Sequence, residues 1–217
     1  MTALTNGVRT IGYKMTEPNI NVSITDLFAI PVGIFDLKDH PLLSTAKDLA
    51  LQESQTEFAE EHLLMKSGKS SWGKGKCILR APELATLKKD IDDCVDYYRT
   101  HLGLAELTLI NSWFNVMPKG SYVLPHRHER SIISGALYVD AGDESANLFF
   151  TNPTSIYRMT EKPKFNESLY TARVVDVKVS TGRCVLFPSW LEHGTDENHY
   201  DNRIVISFNY KDVEYNS

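Results

Sequence analysis

The stretch "LPHRHERSIISGALYVDA", residues 124–141, sets His126 and His128 two positions apart at the head of a strand-like run. Alternate residues of an extended strand point to one face, so the two imidazoles can approach one ion together while Arg127 turns away. That spacing permits chelation without requiring it, because paired histidines at a strand end also occur as ordinary hydrogen-bonding groups. A third donor is available in "VLFPSWLEHGTDENHYDNRIVISFNY". There His193 follows His128 by 65 positions, after an apolar run and Pro188, where a loop is expected to leave the sheet. Two donors close in sequence and one distant donor are how facial three-ligand sites with open positions are assembled.

Strands must carry these residues, and the sequence supplies them. From about residue 107, "LTLINSWFNVM", "SYVLPH", "SIISGALYVDA", "NLFFT", "ARVVDVKV", "CVLFP" and "RIVISFNY" place β-branched and aromatic residues between turn signals such as "PKGS", "AGDES" and "STGR". Seven or eight short strands in about a hundred residues predict a jelly roll or barrel. "NPTSIYRMTEKPKFNESLY" (152–170) is a long irregular connection of the kind that is usually functional.

Upstream, "LFAIPVGIFDL" (27–37) reads as a strand in which Pro31 marks an edge position or a break. "STAKDLALQESQTEFAEEHL" (44–63) reads as a helix with Ser44 or Thr45 as N-cap. A second helix is signalled by Leu84, Leu87, Ile91, Val95, Tyr98 and Leu102 at three- and four-residue spacing, with Pro82 near its start and Gly103 after its end. Its apolar stripe needs a sheet to cover. The fold class expected is therefore mainly β with buttressing helices, in one domain over 1–217. Residues 1–106 would pack on a barrel formed by 107–213.

The composition narrows the function. The chain has 217 residues, 42% of them hydrophobic, enough for a real core, and a net charge of -5 with no long Lys/Arg run, so no nucleic-acid partner is indicated. Cys77, Cys94 and Cys184 are far apart and odd in number, which suits packed thiols better than a disulfide framework or a zinc knuckle. No apolar core of signal-peptide length is visible, and no segment reaches the ~18 apolar residues of a membrane span, so a cytoplasmic protein without a membrane partner is expected.

One ordered series of motifs is specific as a set: "WFN" (113–115), "HRH" (126–128), "SGALYV" (134–139), "FPSWLEH" (187–193), then Arg203 and "SFNY" (207–210). With these elements the C-terminal half resembles the Fe(II)/2-oxoglutarate-dependent oxygenase superfamily, and most of all a branch of small microbial and phage oxygenases. The resemblance implies a double-stranded β-helix, a cupin-like jelly roll, with Fe(II) at its open mouth and 2-oxoglutarate chelating the metal. The far carboxylate of the oxoacid would pair with a basic residue on the last strand. Arg203, ten residues after His193, has the offset for that role, and its planar guanidinium suits a bidentate grip on a carboxylate.

The same resemblance exposes a departure. Most of the superfamily has a carboxylate where this chain has His128, so the expected metal set is His126, His128 and His193, with Glu129 as the substitute if the strand ends early and the chain turns. Strand parity favours His128. Three neutral imidazoles would make metal binding fall as pH drops through the histidine range. Asn115 and Tyr138 belong to strands bordering the pocket and could donate to a bound oxoacid; Ser207 shares Arg203's face and could assist. Trp113 and Trp190 read as core, His199 as a surface residue, and His40, His62 and His101 as histidines without partners.

The activity implied is oxidative decarboxylation of 2-oxoglutarate coupled to C–H hydroxylation, with O2 as co-substrate, on a small molecule or protein side chain. The 152–170 connection would be a substrate lid. Two other classes stay open on the residues alone. One is a cupin-type metal protein or three-histidine dioxygenase or isomerase that does not use 2-oxoglutarate; the other is a jelly roll without enzymatic activity. Oligomeric state is not written in the sequence.

Overall fold

The β-branched and aromatic runs that begin at residue 107 fold into two antiparallel sheets, and short upstream segments complete both. The structure, a computed structural model, describes residues 28–158 and 170–213. In chain order the elements are β1 (Gly33–Asp36), α1 (Leu43–Glu53), β2 (Met65–Lys66), β3 (Lys69–Ser70), α2 (Ala85–His101), β4 (Leu107–Met117), β5 (Tyr122–His126), β6 (Ile133–Asp140), β7 (Leu148–Thr151), β8 (Val174–Val177), β9 (Arg183–Pro188), β10 (His193–Thr195) and β11 (Arg203–Asp212). One sheet runs β1-β9-β6-β11-β4-β3 and the other β2-β5-β10-β7-β8. Every pairing is antiparallel. This is the double-stranded β-helix expected from the sequence. The described residues from Pro31 onward form one compact unit.

The larger sheet is buried on both faces, which is why β6 and β11 read as nearly continuous apolar runs. One face of β11, with Ile204, Ile206, Phe208 and Tyr210, meets the helices. The other carries Val205 into the core between the sheets, with Ala136 and Tyr138 of β6 and Phe187 of β9. Helix α2 buries Leu87, Ile91, Val95 and Tyr98, the stripe predicted from its spacing, in the same core as Phe114, Leu186 and Phe208. Each such side chain contributes about 1.5–3 kcal/mol through burial, so a single Ile91→Ala change costs roughly 2–5 kcal/mol. Gly103 closes the helix in the left-handed region at φ 70°, which glycine adopts without a Cβ penalty.

Several boundaries differ from the sequence reading. The strand expected over 27–37 is confined to Gly33–Asp36, at the edge of the larger sheet. Pro31 cannot donate to a ladder and precedes it; Leu27 lies outside the described residues. Helix α1 stops at Glu53 rather than at residue 63. There Ser54 and Thr56 turn their hydroxyls onto the carbonyls of Leu51 and Glu53, the competition that makes such residues helix terminators. Leu42, not Ser44 or Thr45, is its N-cap residue, with no side-chain cap bond. The segment Gly194–Thr195, expected in a loop, belongs with His193 to strand β10.

Cys184 is buried while Cys77 and Cys94 are half-buried, all three as free thiols. No helix among the described residues is long and apolar enough to cross a membrane. Within the 152–170 connection, residues 159–169 lie outside the described residues, and Ser155–Arg158 form a short 3-10 turn.

Candidate metal centre

Register brings the three histidines together. β10 lies between β5 and β7, with His193 directly opposite His126 on one side and Phe150 on the other. Residues 67 positions apart in sequence thereby become cross-strand neighbours. β5 ends at His126, so the chain does turn where Glu129 was considered as a substitute ligand. His128 nevertheless keeps its place, because its amide donates to the Ser189 carbonyl at 3.0 Å. His126, His128 and His193 each offer a ligand atom, all within 4.8 Å of one another. Glu129 is exposed and outside that group.

The imidazole orientations suit a shared cation. The Nδ1 atoms of His126 and His193 lie 2.9 Å from the carbonyl oxygens of Leu124 and Leu191, which can only accept, so these rings carry the proton on Nδ1 and leave Nε2 bare. Nε2 of His126 and Nε2 of His128 are 3.2 Å apart. Two nitrogens bound at about 2.1 Å to one ion at right angles would be separated by about 3 Å. The donor set therefore fits a divalent transition metal with neutral imidazole ligands.

Burial favours the uncharged form of the three imidazoles. It pushes His193 down to about 3, with repulsion from His126 and His128 adding to the effect. It pushes His128 down to about 4 against an opposing hydrogen bond from Asn209. His126 is lowered by the same cause. Burial thus favours the neutral form of each imidazole, which moves the pH at which protons compete with metal below the ordinary value near 6.5.

The cavity above the histidines holds about 460 Å³ and reaches Arg203, Tyr138, Asn115 and Ser207. All four predicted oxoacid-binding residues line the same space as the metal group. Arg203 is 2% exposed. Its guanidinium sits 4.9 Å from the Tyr138 ring centre, Nη1 faces the Met117 sulfur at 2.8 Å, and buried Nε has no hydrogen-bond partner. Among the described residues no carboxylate pairs with it. A buried guanidinium partnered by the Tyr138 side chain and a thioether rather than by a carboxylate suits an anion, since a buried charge without a counter-ion is costly. Asn115 Nδ2 donates to Ser207 Oγ at 3.3 Å, so the two polar residues between metal and arginine are mutually held.

Two neighbours were not anticipated. His62, read as a histidine without a partner, lines the cavity; its Nδ1 accepts from the Leu64 amide at 3.2 Å and its ring meets Trp72 edge-on. Trp72 in turn packs on Trp113 with centroids 4.3 Å apart, and Trp113 faces His128 at 5.6 Å. Their placement depends on β2 pairing with β5 and β3 with β4, long-range contacts that no local pattern announces. Trp113 is buried as expected, but Trp190 is 53% exposed and is not core. His40 is also not partnerless: its Nε2 lies 3.2 Å from an Asp90 carboxylate oxygen. His101 and His199 are exposed.

Residues 111–209 match the model of a family described as "Putative 2OG-Fe(II) oxygenase". No curated protein sequence matches the chain. Among solved structures, a Pseudomonas putida prolyl-4-hydroxylase is similar at 13% identity and TM-score 0.59, over 84% of this chain and 94% of that one. A prolyl hydroxylase from Trichoplax adhaerens, solved with a hypoxia inducible factor peptide fragment, is 16% identical at TM-score 0.59, covering 84% of each chain. The non-heme alpha ketoglutarate dependent epimerase SnoN from nogalamycin biosynthesis is 13% identical at TM-score 0.62, over 84% of this chain and 79% of its own. At such identities these likenesses speak to the fold, a double-stranded β-helix. The residues that match the family model, 111–209, thus include the whole histidine group, set in that fold.

Proposed function

We propose that the protein is an Fe(II)- and 2-oxoglutarate-dependent oxygenase that hydroxylates a C–H bond of a small molecule or a protein side chain. One observation carries the reading: a group of three imidazoles and a buried arginine with no carboxylate partner among the described residues face the same cavity. The first suits a divalent cation; the second suits the far carboxylate of a dicarboxylic oxoacid. When bound, iron and 2-oxoglutarate supply O2 activation coupled to decarboxylation, so that one O2 and one 2-oxoglutarate give succinate, CO2 and one hydroxylated product.

The chain's own residues bind, orient and shield. His126, His128 and His193 would hold the metal through neutral imidazole nitrogens. Arg203 grips the distal carboxylate, with the Tyr138 hydroxyl and the Asn115–Ser207 pair as donors along the oxoacid. Trp72 and Trp113 wall the mouth on the substrate side, where excluding water protects the reaction. In this reading the centre is carried on 107–213, buttressed by α1 and α2.

Calorimetric titration of Mn(II)-loaded protein with 2-oxoglutarate tests the reading. Binding that requires both the metal and Arg203 is expected. A protein that takes up the metal yet ignores the oxoacid would instead be a cupin-type centre that does not use 2-oxoglutarate.

A further inference from the structure

His128 differs from the other two histidines in what holds it. His126 and His193 point Nδ1 at backbone carbonyls, which fix one tautomer outright. Nδ1 of His128 instead faces side chains: Asn209 Oδ1 at 2.6 Å and Ser134 Oγ at 2.8 Å. Ser134 Oγ also lies 2.7 Å from Asn209 Oδ1 and 2.8 Å from Ser189 Oγ. Asn209 Nδ2 donates to Asn111 Oδ1 at 3.0 Å. Ser134, Ser189 and Asn209 are all at most 2% exposed, so no solvent can substitute for any of these partners.

The hydrogens can run through this network in two senses. In one, His128 donates from Nδ1 to Asn209 Oδ1, Ser134 donates to the same oxygen, and Asn209 Nδ2 donates to Asn111. Then Nε2 of His128 is bare and faces the bare Nε2 of His126. Two lone pairs 3.2 Å apart repel until a cation sits between them, so this arrangement is ready for a metal. In the other sense the Asn209 amide is turned, its NH2 faces Nδ1, and the ring proton moves to Nε2. There it would donate to His126 Nε2, and the ring-to-ring hydrogen bond would occupy the metal's place.

We infer that Asn209, through its side-chain carbonyl oxygen, is the positioning residue that holds His128 in the Nδ1–H tautomer and so makes a third imidazole available to the metal. Asn209 and Asn111 are register partners on β11 and β4. Asn209 also continues the alternation of Arg203, Val205 and Ser207 along β11, so one strand face carries the anion grip at one end and the ligand's support at the other. The inference rests on the reading of His128 as a ligand, and the experiment separates the two.

The first readout is the tautomer of His128 in the metal-free wild type, from two-bond nitrogen–proton correlations of the imidazole rings. Nδ1–H is expected; Nε2–H would overturn the proposal even if every variant failed to fold. The second is Co(II) affinity. Asn209→Ala should weaken it by about 10- to 100-fold, the usual cost of losing such a partner, and move His128 toward Nε2–H. Asn209→Asp, which offers an acceptor to Nδ1 while Asn111 turns its amide to donate, should restore affinity to within a few-fold of wild type. A folded Asn209→Ala protein with wild-type Co(II) affinity and an unchanged tautomer would refute the role of Asn209. If instead His128→Ala bound Co(II) as tightly as wild type, the ligand assignment itself would be wrong.

Discussion

Arg203→Met should change stability and oxoacid binding in opposite directions. The guanidinium is buried at the cavity wall, its Nε is unpartnered, and its contacts include the Tyr138 side chain and the Met117 sulfur, with no carboxylate among the described residues. Replacing an uncompensated buried charge by an apolar side chain of similar length removes a desolvation cost. By analogy with buried ion pairs exchanged for hydrophobic residues, the expected effect runs from neutral to about 4 kcal/mol stabilising. A chain of this size gains about 2–4 °C in melting temperature per kcal/mol. Binding moves the other way. Losing a desolvated, charge-assisted contact to a carboxylate costs roughly 2–5 kcal/mol, which at 1.4 kcal/mol per decade lowers 2-oxoglutarate affinity by about 30-fold or more. Thermal denaturation of Mn(II)-loaded protein with and without 2-oxoglutarate measures both effects. Wild type should gain about 2.7 kcal/mol at a hundredfold excess over Kd, and the variant should melt at or above the unliganded wild type but gain almost nothing. A variant that loses several kcal/mol while binding the oxoacid normally would show Arg203 to be a structural residue, and the anion-grip reasoning would fail.

Other outcomes follow from the same geometry. In the metal-free protein the buried His193, about 3 when folded, is neutral while its unfolded counterpart near 6.5 binds a proton. Stability should therefore be complete above pH 6.5 and fall as pH drops toward 3, with a slope approaching ~1.4 kcal/mol per unit from this group; urea midpoints that do not change between pH 7 and 4 would contradict the burial. Metal affinity should hold from pH 8 to well below 6.5, as Co(II) titrations at successive pH values would reveal. Glu129→Ala should keep its metal within about twofold while His193→Ala loses it, and the reverse pattern in equilibrium dialysis would reassign the ligand set. Gly135→Ala would place a Cβ 2.2 Å from the Phe208 ring and 2.7 Å from Leu186, so a loss of about 1–3 kcal/mol is expected on chemical denaturation.

Much of this site was legible because strand alternation is a local rule. Alternation put His126 and His128 on one face and Ser207 on the face of Arg203, whereas Arg203 itself was singled out by the motif resemblance and Asn115 and Tyr138 by their strands; β4 was bounded to the residue as Leu107–Met117. The same rule could have found Asn209, which keeps step with Ser207. Gly135 was visible only as half of a Ser-Gly pair, yet the structure gives each half a separate reason: Ser134 touches His128, and Gly135 leaves room for Phe208. His62 and Trp72 were not legible, since two-residue strands with distant partners place them. The end of α1 was misjudged because "SQT" keeps a helix-like composition while its hydroxyls bond backward to carbonyls.

The central claim is that one cavity holds Fe(II) on three histidines and 2-oxoglutarate between that metal and Arg203. Anaerobic addition of Fe(II) and then 2-oxoglutarate to the metal-free protein, followed by visible absorbance, tests it most directly. A charge-transfer band that appears only with both additions, and is lost in His193→Ala and in Arg203→Met, is the predicted result. Iron that binds stoichiometrically while 2-oxoglutarate produces no band would contradict it.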